Sequence, residues 1–292
     1  MPGPVFQKLI PRNQLEHFYD WNNLKELFIR SRSIIESEND FVLLEFYLNG
    51  KSFKYDLSQF YDHVEHFSLE QFNDSTPYSF RLTNVQRLSG EIREACQLLE
   101  KHYQRTVVCN LYFTPGPDKN CFTYHVDHQD TYIVQLNGAK TWLFPLDESG
   151  NYFRYIKDGS FEASLVKDYK KKSILVEKGS QFAVPHALVH KAEIQGSGPS
   201  IHLTFATIDF HNLDLFQELM GQLLKSAGLE SVQKEKLDMS DISDIVQKLL
   251  SKASSLSEKE IVEAIQSRVF LENLKISKSG RNYKKSKPSN PD

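Results

Sequence analysis

The sequence predicts a mainly β protein, a closed or sandwich-like barrel with helices at its flanks. Two observations carry this. Segments 107–113, 130–136, 140–144, 173–176, 181–184, 189–194 and 200–208 are short and rich in β-branched and aromatic residues. Asn-Gly, Gly-Ser and Gly-Pro pairs punctuate them, a pattern that suits a barrel or sandwich better than a βαβ sheet. The 20 Phe and 13 Tyr favour sheets, and 40% hydrophobic content suffices for a sizeable core.

Upstream, helix and strand mix. Residues 15–19 and 21–35 show helical spacing through Leu24, Leu27 and Phe28, weakened at its end by the Arg-Ser repeat at 30–33. Residues 41–48 are β-rich, and Asn49-Gly50 signals a hairpin into 52–55. A short helix is expected at 57–66, and a strand running into a loop at 79–88. A helix at 91–103 would have Ile92, Ala95, Cys96, Leu98 and Leu99 on one face. The polar, aromatic segment 147–172 reads as an excursion outside the barrel and a candidate lid. Beyond Phe210 the pattern is helical. Leu215, Phe216, Leu219, Met220, Leu223 and Leu224 form one stripe, stopped by Gly228. Ile242, Ile245, Val246, Leu249 and Leu250 form a second. Ser257 and Glu260 cap a third, with Ile261, Val262, Ile265 and Val269 inward. These helices, within 211–274, are expected to form a satellite bundle or a homodimer surface. Residues 275–292 carry six Lys/Arg against one acid, without periodicity, and read as a solvated tail.

A net charge of −3 gives no global signal for nucleic acid or an anionic membrane, so neither is an expected partner. Cys96, Cys109 and Cys121 form no CxxC and are expected as free thiols in a reducing compartment. The first residues contain no apolar run of signal-peptide length, and no stretch reaches the roughly 20 apolar residues of a membrane helix. A cytoplasmic location is the expectation.

The chemistry-bearing stretch is 106–145. Ten His and 38 acids predict about one chance His-x-acid match. Three occur: His63–Glu65, His125–Asp127 and His128–Asp130. The first falls in a helix, where i, i+2 side chains diverge. The other two overlap. On an extended segment either pair could share a face, but both together do not chelate one ion, and spacing leaves the choice open. A second piece, VPHALVHKAEI, runs into a strand carrying His190. Two imidazoles and a carboxylate are the ligand set of non-haem Fe(II) oxygenases.

The segment YFTP-x9-HVDHQDTYIVQLNGAKTW, followed by GSQFAVPHALVHKAEI and SIHLTFA, resembles the JmjC/cupin oxygenases of the ribosomal-oxygenase type and their bacterial relatives. The likeness is strong over about 110–204 and looser at LTNVQRL. It implies a double-stranded β-helix, or jelly-roll, with its core at about 105–210, an N-terminal α/β flank at 1–104, and one JmjC/cupin domain over 1–210. It further implies that His125, Asp127 and His190 hold Fe(II), leaving His128 and Asp130 at non-ligand positions. Lys140 matches the lysine that grips the distal carboxylate of 2-oxoglutarate; Tyr112 and Thr204 match hydroxyls assisting it, and Asn110 a polar position beside it. His186 stands at the entrance or caps its loop, and His202 lies beside the ligands or in the core. Three features depart from the family: Gly179-Ser180 replaces a glycine-acid pair, the loop 116–124 is one residue longer and carries Pro117 and Cys121, and a complete winged helix does not fit after the barrel.

The implied activity is a 2-oxoglutarate-dependent dioxygenase that consumes dioxygen and hydroxylates a protein or peptide side chain. Three alternatives remain at this level. They are the same chemistry on a small molecule or natural-product peptide, a cupin metalloenzyme that does not use 2-oxoglutarate, and a non-catalytic metal-binding module.

Overall fold

The computed structural model describes residues 3–37, 42–48, 50–116, 122–156, 161–196 and 198–208, with 247 and 251. The chain divides into two units, Met1–Asp209 and Phe210–Asp292. The helices expected at 211–274 and the tail at 275–292 therefore lie outside the described residues, apart from 247 and 251.

The N-terminal flank begins with β1 (Val5–Phe6), then α1 (Arg12–Leu15) passing through a 3-10 turn into α2 (Trp21–Glu36). Asp20 starts α2 by accepting the amide of Asn22 at 2.7 Å. A hairpin of β2 (Leu44–Leu48) and β3 (Lys51–Phe53) follows, with Gly50 at φ +77° in its turn. Asn49 lies outside the described residues. Helix α3 (Leu57–His66) starts at Asp56, whose carboxylate accepts from Ser58 and Gln59. The next helix, α4 (Leu69–Ser75), was not expected, although a reciprocal capping box at Ser68 and Gln71 announces it in the sequence. After β4 (Ser79–Leu82) comes α5 (Gly90–Tyr103), which buries Ile92, Ala95, Cys96 and Leu99 as its spacing predicts. Leu98 is only half-buried, at the edge of that stripe.

The barrel consists of β5 (Thr106–Thr114), β6 (His125–Val126), β7 (Thr131–Asn137), β8 (Ala139–Pro145), β9 (Lys171–Glu177), β10 (Gln181–Val184), β11 (Val189–Gln195) and β12 (Ser200–Ile208). All pairings are antiparallel, in an eight-stranded sheet β1-β10-β7-β12-β5-β4-β2-β3 and a four-stranded sheet β6-β11-β8-β9. Four barrel strands sit in each, which is the double-stranded β-helix. Predicted strand ends fall within two residues of the observed ones. Only β1 and β6 escaped notice, being two residues each and too short to show a period.

Alternation sorts the side chains. Cys109, Leu111 and Phe113 of β5, with Leu203 and Phe205 of β12, face helices and β2–β4 in one large core. That core is an aromatic lattice: Phe80 stacks on Phe113 at 4.8 Å, and Phe60 meets Phe28, Phe46 and Phe72 edge-on. A second cluster, including Ile133, Trp142, Phe144, Phe182 and Leu188, occupies the space between the sheets. At the β7–β8 turn Gly138 has φ +64°, and a Cβ there would lie 2.3 Å from the carbonyl oxygen of Pro199. Only glycine fits this turn, which sets the register that brings Lys140 inward. Cys96 and Cys109 are buried free thiols, and Cys121 lies outside the described residues. None of the described helices is long and apolar enough to cross a membrane.

Candidate metal centre

Strands β6 and β11 pair so that His125 lies directly opposite His190, and Asp127 follows two residues on. The imidazoles stand 4.3 Å apart between centroids, and His190 Nε2 is 3.6 Å from Asp127 Oδ2. One ligating atom from each of the three lies within 4.8 Å of the others. The Nδ1 atoms are committed elsewhere: His125 to the carbonyl of Thr123 and His190 to that of Leu188, both at 2.9 Å. A carbonyl only accepts, so each Nδ1 carries a proton, and Nε2 is the ring atom left to face the centre. Burial lowers the His190 pKa to about 4, with His125 adding to the shift and Asp127 opposing it. His190 is therefore a neutral donor near pH 7. Two imidazole nitrogens and one carboxylate suit a divalent iron-type ion.

The competing residues are used differently. His128 is exposed. Asp130 pairs with Arg105 at 3.1 Å and accepts the backbone amide of His186 at 2.9 Å. On α3, Glu65 pairs with Arg32 while His63 stacks on Phe67, so that pair diverges as its helical spacing predicts. His186 is exposed on the turn before β11, with its carbonyl taken by Arg154 at 2.8 Å.

The triad opens on a cavity of about 360 Å³. Register explains its walls. Asn110 and Tyr112 on β5 stand opposite Thr204 and His202 on β12, while Lys140 and Trp142 project from β8, and all six line the cavity. Lys140 is only 4% exposed; its ammonium donates to Thr114 Oγ1 at 3.2 Å and approaches His202 Nδ1 at 3.4 Å. Burial, then the Lys140 charge, holds the His202 pKa well below its ordinary value, so His202 is a neutral acceptor toward the ammonium. Its ring stacks on Tyr112 at 4.9 Å and 5°. Asn110 Oδ1 accepts the amide of Asn84 at 3.2 Å.

Sequence reasoning passed over several wall residues, Trp142 and Arg81 among them, and also Thr114, which seats the Lys140 ammonium. Thr114 continues the inward phase of Asn110 and Tyr112, and Trp142 that of Lys140, so extending the alternation finds both. Arg81 on β4 stands opposite Tyr112 and is ion-paired with Glu45, Nε to Oε2 at 2.7 Å. Burial opposes its charge, and Tyr112 and Glu45 more than offset that, raising its pKa well above the ordinary guanidinium value. No local motif marks it.

Residues 81–214 match the family described as the JmjC domain. The chain is similar to curated proteins named bifunctional lysine-specific demethylase and histidyl-hydroxylase NO66. The one from Dictyostelium discoideum is 27% identical over 162 residues, covering 55% of this chain and 30% of that protein. The one from Drosophila simulans is 27% identical over 159 residues, covering 53% and 18%. Ribosomal oxygenase 1 of Danio rerio is 24% identical over 160 residues, covering 54% of this chain and 29% of that protein. This chain thus spans less than a third of the length of these relatives. Among solved structures, the Escherichia coli ribosomal oxygenase YcfD in complex with cobalt and 2-oxoglutarate overlays with a TM-score of 0.43 at 11% identity. That overlay covers 78% of this chain and 58% of YcfD.

Proposed function

We propose that this protein is an Fe(II)- and 2-oxoglutarate-dependent oxygenase that hydroxylates a protein or peptide side chain. The observation that carries the reading is two Nδ1-anchored imidazoles and a carboxylate converging in a cavity that also holds a buried ammonium. His125, Asp127 and His190 would hold iron, which when bound supplies C–H hydroxylation coupled to oxidative decarboxylation of the 2-oxo acid. Lys140, seated by Thr114, would take the distal carboxylate of 2-oxoglutarate, a group that would otherwise be desolvated without a partner. Tyr112, Thr204 and Asn110 face the same space and would orient the cosubstrate. Trp142 and Phe122 narrow the cavity around the triad and keep water from it. The names of the NO66 and ribosomal-oxygenase relatives favour a protein side chain as substrate.

The test is anaerobic reconstitution with Fe(II), then air, with succinate measured from 2-oxoglutarate with and without histidine-containing peptides. Succinate formation that rises with a peptide, which gains 16 Da, is the expected result. A protein that takes up iron and never forms succinate overturns the reading.

The domain reading extends it: a JmjC/cupin domain over 1–210, a helical segment at 211–274 that dimerises, and a basic tail at 275–292, in a cytoplasmic protein. The apolar stripes at 211–274 would leave uncovered surface in a lone subunit. Sedimentation equilibrium at micromolar concentration is expected to return a dimer, and a monomer there removes the dimerisation role.

A further inference from the structure

The second His-x-Asp pair has a use of its own. Asp130 stands just before β7 and is fixed from two sides: Thr207 on β12 donates its amide and its hydroxyl to the Asp130 carbonyl, at 2.9 and 3.2 Å. Arg105, just before β5, pairs with Oδ2 at 3.1 Å. The remaining carboxylate oxygen accepts the amide of His186 at 2.9 Å, and the amide of Ala187 donates to the carbonyl of Asp127 at 2.8 Å. Two successive amides of one turn are thus gripped by the segment that carries His125 and Asp127.

That turn, residues 185–188, closes with the Leu188 amide on the Pro185 carbonyl at 3.3 Å. Ala187 sits at φ +63° in it, a left-handed conformation of the type II turn that ordinarily calls for glycine. The turn's carbonyls are also engaged, His186 by Arg154 and Ala187 by the amide of Tyr155 at 2.9 Å. A strained residue persists where its surroundings over-determine it. Leu188 then supplies the carbonyl that orients the His190 imidazole. Where the turn sits decides where His190 points.

We propose that Asp130 is a positioning residue. Through the His186 amide it clamps the 185–188 turn, and so sets the His190 imidazole against His125 and Asp127. This rests on the metal-centre reading above. Partners of this kind alter metal affinity by about 10–100-fold when removed.

The test is Co(II) titration of the full chain, followed by visible d–d absorption, at a temperature well below every variant's melting point. Asp130→Ala is expected to weaken Co(II) binding at least 10-fold, and Asp130→Asn, which keeps an acceptor oxygen, to stay within about 3-fold of wild type. His186→Pro removes the donor without touching the acid, and Pro suits that position of a type II turn. It should reproduce most of the Asp130→Ala loss, and the double variant should lose no more than Asp130→Ala alone, because the His186 hydrogen bond is already gone in that variant, as is the Arg105 pair. Equal binding by wild type, Asp130→Ala and His186→Pro overturns the clamp and leaves the metal centre standing. So do fully additive losses in the double variant. A wild type that takes up no Co(II) overturns the metal centre, and the clamp with it.

Discussion

Asp127→Ala is expected to abolish metal binding and succinate formation. Asp127 would supply the one negative charge of the proposed ligand set, and its oxygen lies 3.6 Å from His190 Nε2. Two neutral imidazoles alone bind divalent iron weakly, so affinity should fall by more than about 100-fold and turnover by more than about 1,000-fold. The loss would not come from protonation of His190. Asp127 raises the His190 pKa, so removing it leaves that imidazole more firmly neutral. Nor would it come from unfolding, because the Asp127 side chain is about one-third exposed and its backbone carbonyl, which grips Ala187, is untouched. His128→Ala is the matched control: its side chain is exposed, and Co(II) affinity should be unchanged. If His128→Ala loses the metal and His125→Ala keeps it, the two overlapping pairs have been assigned the wrong way round.

The second large effect is expected from Lys140→Ala. Lys140 lines the cavity and is only 4% exposed, with its ammonium in reach of Thr114 and His202. A charge-assisted hydrogen bond to a carboxylate in such a place contributes about 1.5–3 kcal/mol. The KM for 2-oxoglutarate should therefore rise by roughly 10–100-fold, with Co(II) affinity retained because no metal ligand is altered. The variant should also relax His202. Burial is the larger cause of its depressed pKa and the Lys140 charge the next, so the His202 pKa should move up part of the way. Steady-state kinetics against 2-oxoglutarate, with proton NMR of the imidazoles, reads both effects. An unchanged KM takes Lys140 out of the cosubstrate site.

Much of this was legible in one dimension. Period-two alternation marked Asn110 and Tyr112 as sharing a face of β5, and the Asn137-Gly138 turn fixed the phase that points Lys140 and Trp142 inward. The helical stripes of α2 and α5 and the ends of nearly every barrel strand followed from the same periodicities. Such features are local, since a residue's face depends only on its neighbours in the chain. The capping box of α4 was equally local and equally visible.

Other features had no local signature. Spacing alone left His125–Asp127 and His128–Asp130 equivalent. What separates them is where β11, Arg105 and the 185–188 turn arrive, residues 25 to 65 positions away along the chain. Arg81 enters the cavity wall only because β4 pairs with β5 opposite Tyr112. Thus the chain by itself determined which side chains face inward, because backbone pleating is a property of each strand. Only the tertiary structure decided which of those side chains meet, because convergence depends on strand pairing between segments far apart in sequence.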